Sequence, residues 1–168
     1  EQHEWAKMMH IQTLADLNYI VSKGQIDDLI RMDETLQSNR LLSVAKEIAK
    51  NKKVKKIVLI AGPSSSGKTT TTTKLCMYLR SLGLHPKMLS MDDYFMDRHQ
   101  TPLNENGDPD YECFEALDHE MMNQQIEALL HGEKVQAPVY NFFEGKKEFK
   151  KELILEKDDI LLIEGIHA

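Results

Sequence analysis

The residues best equipped for chemistry lie in AGPSSSGKTT, Ala61 to Thr70. Gly62, four intervening residues, then Gly67, Lys68 and Thr69 fit G-x-x-x-x-G-K-[ST] at every fixed position. A loop of this spacing can wrap a diphosphate with backbone N–H groups facing inward, and a side chain at Gly62 or Gly67 would block that approach. Pro63, Ser64, Ser65, Ser66 and Thr70 complete the expected cradle. Lys68 is expected to reach the outer phosphates as a catalytic cation, and the Thr69 hydroxyl to bind Mg²⁺. ATP and Mg²⁺ are therefore the expected cofactors. The loop does not say whether the phosphate goes to water, to a protein or to a small molecule.

Two acidic segments follow, each where a strand is expected to end. SMDDYF carries Asp92 and Asp93, and IEGIH carries Glu164. In open α/β sheets, ligands bind outside the carboxyl ends of the strands. A carboxylate there can hold Mg²⁺ or accept a proton from an attacking hydroxyl. Either acid alone is a weak signal; beside the glycine loop they are the expected parts of a phosphotransferase site.

These groups need a scaffold to hold them. VKKIVLIA ends in an apolar run, Ile57 to Ala61, that reads as a buried strand entering the loop. Leu75, Tyr78, Leu79 and Leu82 recur at helical spacing behind it, with Gly83 as a stop. The threonines from Thr69 to Thr73 are poor helix formers whose hydroxyls suit a first turn. A second short strand is expected near Lys87 to Met91, then a long polar surface loop, DRHQTPLNENGDPDYE. Asp118 can cap a helix through Met122, Ile126 and Leu129 to Gly132. VQAPVYNF and KELILEK, joined around Glu144-Gly145-Lys146, read as a β-hairpin, and Ile160 to Ile163 as another buried strand. The fold class is α/β: a parallel sheet flanked by helices, with a β-hairpin insertion.

Residues 1–52 are expected to be a helical segment and 53–168 the phosphate-binding domain. Trp5, Met8, Leu14 and Leu17 suit one apolar face, Ile26, Leu29 and Ile30 a second helix, and Leu41, Leu42, Ala45 and Ile48 a third. His3 and His10 are seven apart, a spacing that by itself gives little support for a metal site. The run KNKKVKK, Lys50 to Lys56, reads as a solvated connection.

The chain has 168 residues, 41% of them hydrophobic and 29% charged, as in ordinary globular domains. A net charge of −6 argues against a broad nucleic-acid-binding surface. Cys76 and Cys113 form no metal or disulfide pattern, and two scattered cysteines fit a reducing cytosol. No apolar run is long enough for a membrane span. The first residue is not Met, so a processed or excised chain is expected.

GPSSSGKTT, SMDDYF, DPDYECFEALD, PVYNF and IEGIHA, in that order, resemble the uridine kinase branch of the phosphoribulokinase/uridine kinase family. The resemblance covers roughly Lys55 to the end, and the order of the blocks is far more specific than the glycine loop. The helical segment before it resembles, more weakly, the region preceding the kinase domain in longer bacterial members with threonyl-tRNA-synthetase-like front domains. The resemblance implies that Lys68 binds the transferred phosphoryl group and that Thr69 and Glu164 hold Mg²⁺. It implies that Asp92, also near the metal, is the general base for a nucleoside 5′-hydroxyl. Glu112 would bond the ribose hydroxyls, and Tyr111 and Tyr140 would line the nucleoside pocket. Uridine–cytidine kinases place a base-reading histidine shortly after PVY; here Gly145 stands at that position, so base recognition does not carry across. The family's later lid arginines have no counterpart before Ala168, so a domain truncated at its C-terminus is expected, its final strand an exposed edge.

The leading expectation is an ATP-dependent kinase of a small hydroxyl compound, first a nucleoside such as uridine. A kinase of pantothenate or a sugar phosphate is the alternative within the family. A non-catalytic ATP-binding regulatory module is the alternative outside it, and Asp92 is the residue such a module has no need of. Homo-oligomerisation stays open.

Overall fold

The computed structural model describes residues 2–52 and 56–168. Most of KNKKVKK, and the expected boundary after Lys52, fall on or against residues 53–55, outside the described residues. The chain divides into two compact units, 1–43 and 44–168.

In the first unit, α1 (Gln2–Met8) and α2 (Leu14–Ser22) are separate helices, where one apolar face was expected to run through both. Met8 and Leu14 are exposed. The break follows from Thr13 and Asp16: the Thr13 hydroxyl accepts the Asp16 N–H at 3.2 Å, and the Asp16 carboxylate accepts the Thr13 N–H at 2.8 Å. This reciprocal capping box starts a new helix whatever precedes it. Conversely, α3 (Ile26–Lys50) runs unbroken through the two helices expected there, because nothing between Ile30 and Leu41 interrupts it. Among the described residues, no group of three or more His, Cys, Asp and Glu side chains is placed to hold a metal.

The second unit contains the end of α3 and an α/β sheet. Strands β1 (Ile57–Ala61), β2 (His85–Ser90) and β5 (Asp159–Gly165) form a parallel sheet in the order β1-β5-β2. The expectation of an exposed final edge is corrected here: β5 is the central strand and every residue in it is buried. Its nearly unbroken apolar run, ILLI, is what a strand covered on both faces requires. The edges are β1 and β2, and Leu59 of β1 is exposed.

Alternate β5 residues serve opposite faces, as a strand's two-residue period dictates. Ile160 and Leu162 pack with Leu75, Cys76 and Leu79 of α4 (Lys68–Ser81) and with Ala45 and Ile48 of α3. Leu161 and Ile163 join the other cluster, with Met122 and Leu129 of α5 (His119–Leu130) and Val135, Ala137 and Tyr140 of β3 (Val135–Asn141). Asp118 caps α5 as expected, accepting the Met121 N–H at 3.2 Å. Cys76 is buried, and burial pushes its thiol up. Cys113 is half-buried and also free.

β3 pairs antiparallel with β4 (Lys146–Leu153) across the expected turn, where Gly145 takes a φ of +69°. The second hairpin strand is thus KKEFKKEL rather than KELILEK. Its charged residues suit a surface strand and carry little apolar alternation, which hid its start. Among the described residues no helix is long and apolar enough to cross a membrane.

Candidate functional site

The register of the sheet brings three chain segments to one edge. Ala61 pairs with Gly165, and Ser90 with Glu164, so β1, β2 and β5 end side by side. The glycine loop leaves β1 there, a short 3₁₀ helix (Met91–Tyr94) leaves β2, and Glu164 closes β5.

Loop residues 64–70, together with Asp92, Glu164 and Ile166, line a cavity of about 320 Å³. Gly62 and Pro63, also expected in the cradle, are not among its lining residues. A Cβ at Gly62 would lie 2.9 Å from Ser66 Oγ and 3.3 Å from Lys68 Cγ, so the loop closes on itself only with glycine there. The Pro63 carbonyl accepts a hydrogen bond from Lys68 Nζ at 2.8 Å. Gly67 has a conformational reason to be glycine beside the expected one. Its missing Cβ would meet open space, but its φ of +81° lies in the left-handed region that favours glycine. Ser65, at φ +57°, accepts the same geometry as a non-glycine residue.

Helix α4 starts at Lys68 with Gly67 as its N-cap and no side-chain cap. Its first N–H groups are thereby left to a ligand, at the positive end of the helix. The threonines settle into the helix by back-bonding: the Thr72 and Thr73 hydroxyls donate to the Lys68 and Thr69 carbonyls, both at 2.8 Å.

Glu164 is buried, with its Oε1 accepting from the Ser90 hydroxyl at 2.9 Å and from Thr69 Oγ1 at 3.4 Å. Thr69 and Glu164, the expected Mg²⁺ residues, are therefore brought together. Their hard oxygens suit Mg²⁺, which keeps most of its coordination for water and phosphate. Ser90 was missed in the sequence. It orients Glu164, and only the parallel register between β2 and β5 reveals it.

Asp92 lines the cavity and Asp93 does not. The 3₁₀ turn separates them: Asp93 Oδ1 accepts the Tyr140 N–H at 3.1 Å, tying the hairpin to the end of β2. Burial, reinforced by the Glu164 charge, raises the Asp92 carboxyl above the ordinary aspartate range, with Lys68 pulling the other way. Burial likewise raises Asp93. Gly165 sets the position of this turn. A Cβ there would come within 2.7 Å of Met91 Cβ, so the absent side chain lets buried Met91 pack against β5 and hold Asp92 at the cavity.

Tyr111 and Tyr140 meet each other, with hydroxyls 3.2 Å apart. Both pack edge-on against Phe95 and Phe142. Burial raises the Tyr140 hydroxyl, and its bond with Tyr111 adds to the shift. At Tyr111, burial is outweighed by hydrogen bonds with Tyr140 and Arg98, and the hydroxyl lies below the ordinary phenol value. Neither tyrosine lines the loop cavity; they stand beside it through the Asp93 tether. Glu112 is not brought to the cavity. It is exposed, and its N–H donates to Asp110 Oδ1 at 2.9 Å.

A parallel sheet ending in a glycine loop, a helix N-terminus and two acids defines an α/β domain of the P-loop phosphate-binding class. The model of the Phosphoribulokinase / Uridine kinase family matches residues 57–168, and the chain belongs to that family. It is 31% identical over 112 residues to a uridine kinase of Aliivibrio fischeri, covering 66% of this chain and 52% of that protein. It is 28% identical over 109 residues to a uridine kinase of Halobacterium salinarum, covering 65% and 47%. Among solved structures, a Bacillus stearothermophilus protein described as a possible uridine kinase matches with a TM-score of 0.63 at 26% identity, covering 76% of this chain and 70% of that one. The chain spans about half the length of the curated relatives it matches.

Proposed function

We propose that the protein is a kinase that transfers the γ-phosphoryl group of ATP to the hydroxyl of a small alcohol, and that a nucleoside such as uridine is the first acceptor to test. The observation that carries this reading is Asp92 facing the same cavity as Lys68, Thr69 and Glu164. A pure nucleotide switch needs the loop and a metal ligand but has no use for a base at the far side of the phosphates.

In this reading, the loop N–H groups and the N-terminus of α4 hold the phosphates. Lys68 leaves the Pro63 carbonyl to meet the charge that builds on the transferred group. Mg²⁺, held by Thr69 and Glu164 with Asp92 nearby, would supply neutralisation of the phosphate charge. Asp92 takes the proton from the attacking hydroxyl, and its raised pKa makes it a better acceptor at working pH than an ordinary aspartate. Tyr111 and Tyr140 form one wall for the acceptor, and Glu112 would serve its ribose hydroxyls only after its segment moves to the cavity. The names of the curated relatives favour a nucleoside over another alcohol. The two scattered cysteines fit a cytoplasmic enzyme.

The test is ADP production by the natural protein with Mg²⁺-ATP and a panel of nucleosides, pantothenate and sugar phosphates. Turnover that depends on one alcohol supports the reading. ATP binding with no acceptor-dependent turnover across the panel would favour the regulatory module.

A further inference from the structure

Beside the tyrosine pair stands an arginine that none of the site motifs includes. The Arg98 side chain lies flat across Gly145: a Cβ on that glycine would fall 2.8 Å from Arg98 Nε and 2.9 Å from its Cζ. The loop and the hairpin turn are locked at this point. The Arg98 N–H donates to the Gly145 carbonyl at 2.8 Å, and Arg98 Nη2 donates to the Phe142 carbonyl. Next to it, Asp97 Oδ1 accepts the Lys147 N–H at 3.2 Å. The guanidinium is thus tied to the hairpin turn while Arg98 itself stays exposed. Among the described residues, no carboxylate lies within ion-pair distance of it.

Its surroundings are suited to a planar ligand. Arg98 reaches the tyrosine pair through Phe142, whose carbonyl it bonds, whose ring packs edge-on against Tyr111 and Tyr140, and which leaves 56% of its surface exposed. The exposed ring of Phe142 next to a tethered guanidinium offers stacking along one direction and hydrogen-bond donors along another. A guanidinium has five N–H donors and no acceptor. It can satisfy a carbonyl or acidic oxygen, and it meets an amino group donor to donor.

We propose that Arg98 is a specificity-determining residue of the acceptor site, selecting planar acceptor alcohols that present an oxygen rather than an amino group on the edge remote from the phosphorylated hydroxyl. Gly145 is its counterpart, because any side chain at that position would displace the guanidinium. The proposal rests on the kinase reading above and deepens it.

Pairs of nucleosides that exchange an oxygen for an amino group, the adjoining ring nitrogen passing from N–H donor to acceptor, test it: uridine against cytidine, and inosine against adenosine. The wild-type protein should prefer the oxygen-bearing member in kcat/KM by roughly tenfold or more, the scale of one hydrogen bond to a charged group. Arg98→Ala should collapse that preference, mainly through KM for the oxygen-bearing member, with KM for ATP unchanged. Arg98→Lys should restore part of it. Arg98→Gln keeps a donor for the Phe142 carbonyl and stands in if Arg98→Ala does not fold. Preference for the amino members, or an oxygen preference that persists in Arg98→Ala or Arg98→Gln, would overturn the role of Arg98 while leaving the kinase standing. An ATP-binding protein that phosphorylates no alcohol would overturn both.

Discussion

Asp92 and Asp93 are neighbours in sequence, and the 3₁₀ turn after β2 points them at different partners. Substituting them should therefore separate catalysis from stability. Asp92→Asn keeps shape and polarity but cannot take the proton, so kcat should fall by roughly 10²–10⁴-fold with ATP binding retained. Its effect on stability should have the opposite sign. A carboxyl raised by burial binds its proton more tightly folded than unfolded. The associated stability is fully present below the ordinary aspartate pKa and is lost as pH rises through the raised value. At neutral pH the charge is a burden that Asn removes, so Asp92→Asn should melt at the same or a higher temperature than wild type. That advantage should fade as pH falls and the wild-type carboxyl is protonated. Asp93 carries the same burden but also accepts the Tyr140 N–H. Asp93→Asn retains an acceptor, whereas Asp93→Ala strands a half-buried donor at a cost of about 1–3 kcal/mol. For a chain of this size that is a gap of roughly 3–10 °C in Tm between Asp93→Ala and Asp93→Asn. Differential scanning calorimetry across pH and steady-state kinetics on the same four proteins measure all of this. A large kcat loss in Asp93→Asn with near-normal Asp92→Asn would refute the assignment of the base. Equal Tm for the two Asp93 variants would show that the tether to the hairpin contributes nothing.

Other outcomes follow from single contacts. Lys68→Ala should abolish transfer while shifting Tm little, since the side-chain bond lost among the described residues is to the Pro63 carbonyl of its own loop; near-normal turnover would exclude the loop as the active site. Glu164→Gln should keep an acceptor for Ser90 but raise the Mg²⁺ concentration needed for half-maximal rate, which a Mg²⁺ titration at fixed ATP reads out. Gly165→Ala should lower kcat without touching any substrate, because its Cβ would push Met91 and the turn carrying Asp92; a crystal structure with Asp92 unmoved and a normal rate would contradict this. The acid limb of the kcat/KM profile should lie above the ordinary aspartate range and vanish in Asp92→Asn.

The loop was legible because its constraint is local. Glycines at Gly62 and Gly67, followed by Lys68 and Thr69, meet a backbone requirement that sequence spacing states directly, although the positive φ of Gly67 shows only in the structure. Glu164 and Asp92 were legible because strand ends can be read from apolar runs. What sequence hid was set by pairing across long separations. Ser90 meets Glu164 only through the β2–β5 register. Arg98 meets Gly145 only because the hairpin folds over the polar loop. The place of β5 between β1 and β2 was misread even though its continuous burial pattern was present in ILLI. The split between α1 and α2 was in principle readable, from Thr13 and Asp16.

The central position of β5 also bears on how the domain assembles during synthesis. β1 and β2 do not pair with each other; each is hydrogen-bonded to β5. Ile57 finds its partner in Leu161, about a hundred residues downstream. A chain made from its N-terminus must therefore expose two unpaired parallel strands, together with the glycine loop, until β5 has been made and can insert between them. Such distant pairings slow folding, and the waiting strand edges are where a nascent chain is open to misassociation. The phosphate cradle gains its backing only with β5, so a chain arrested before Asp159 should have the entire loop motif and no rigid site to present it.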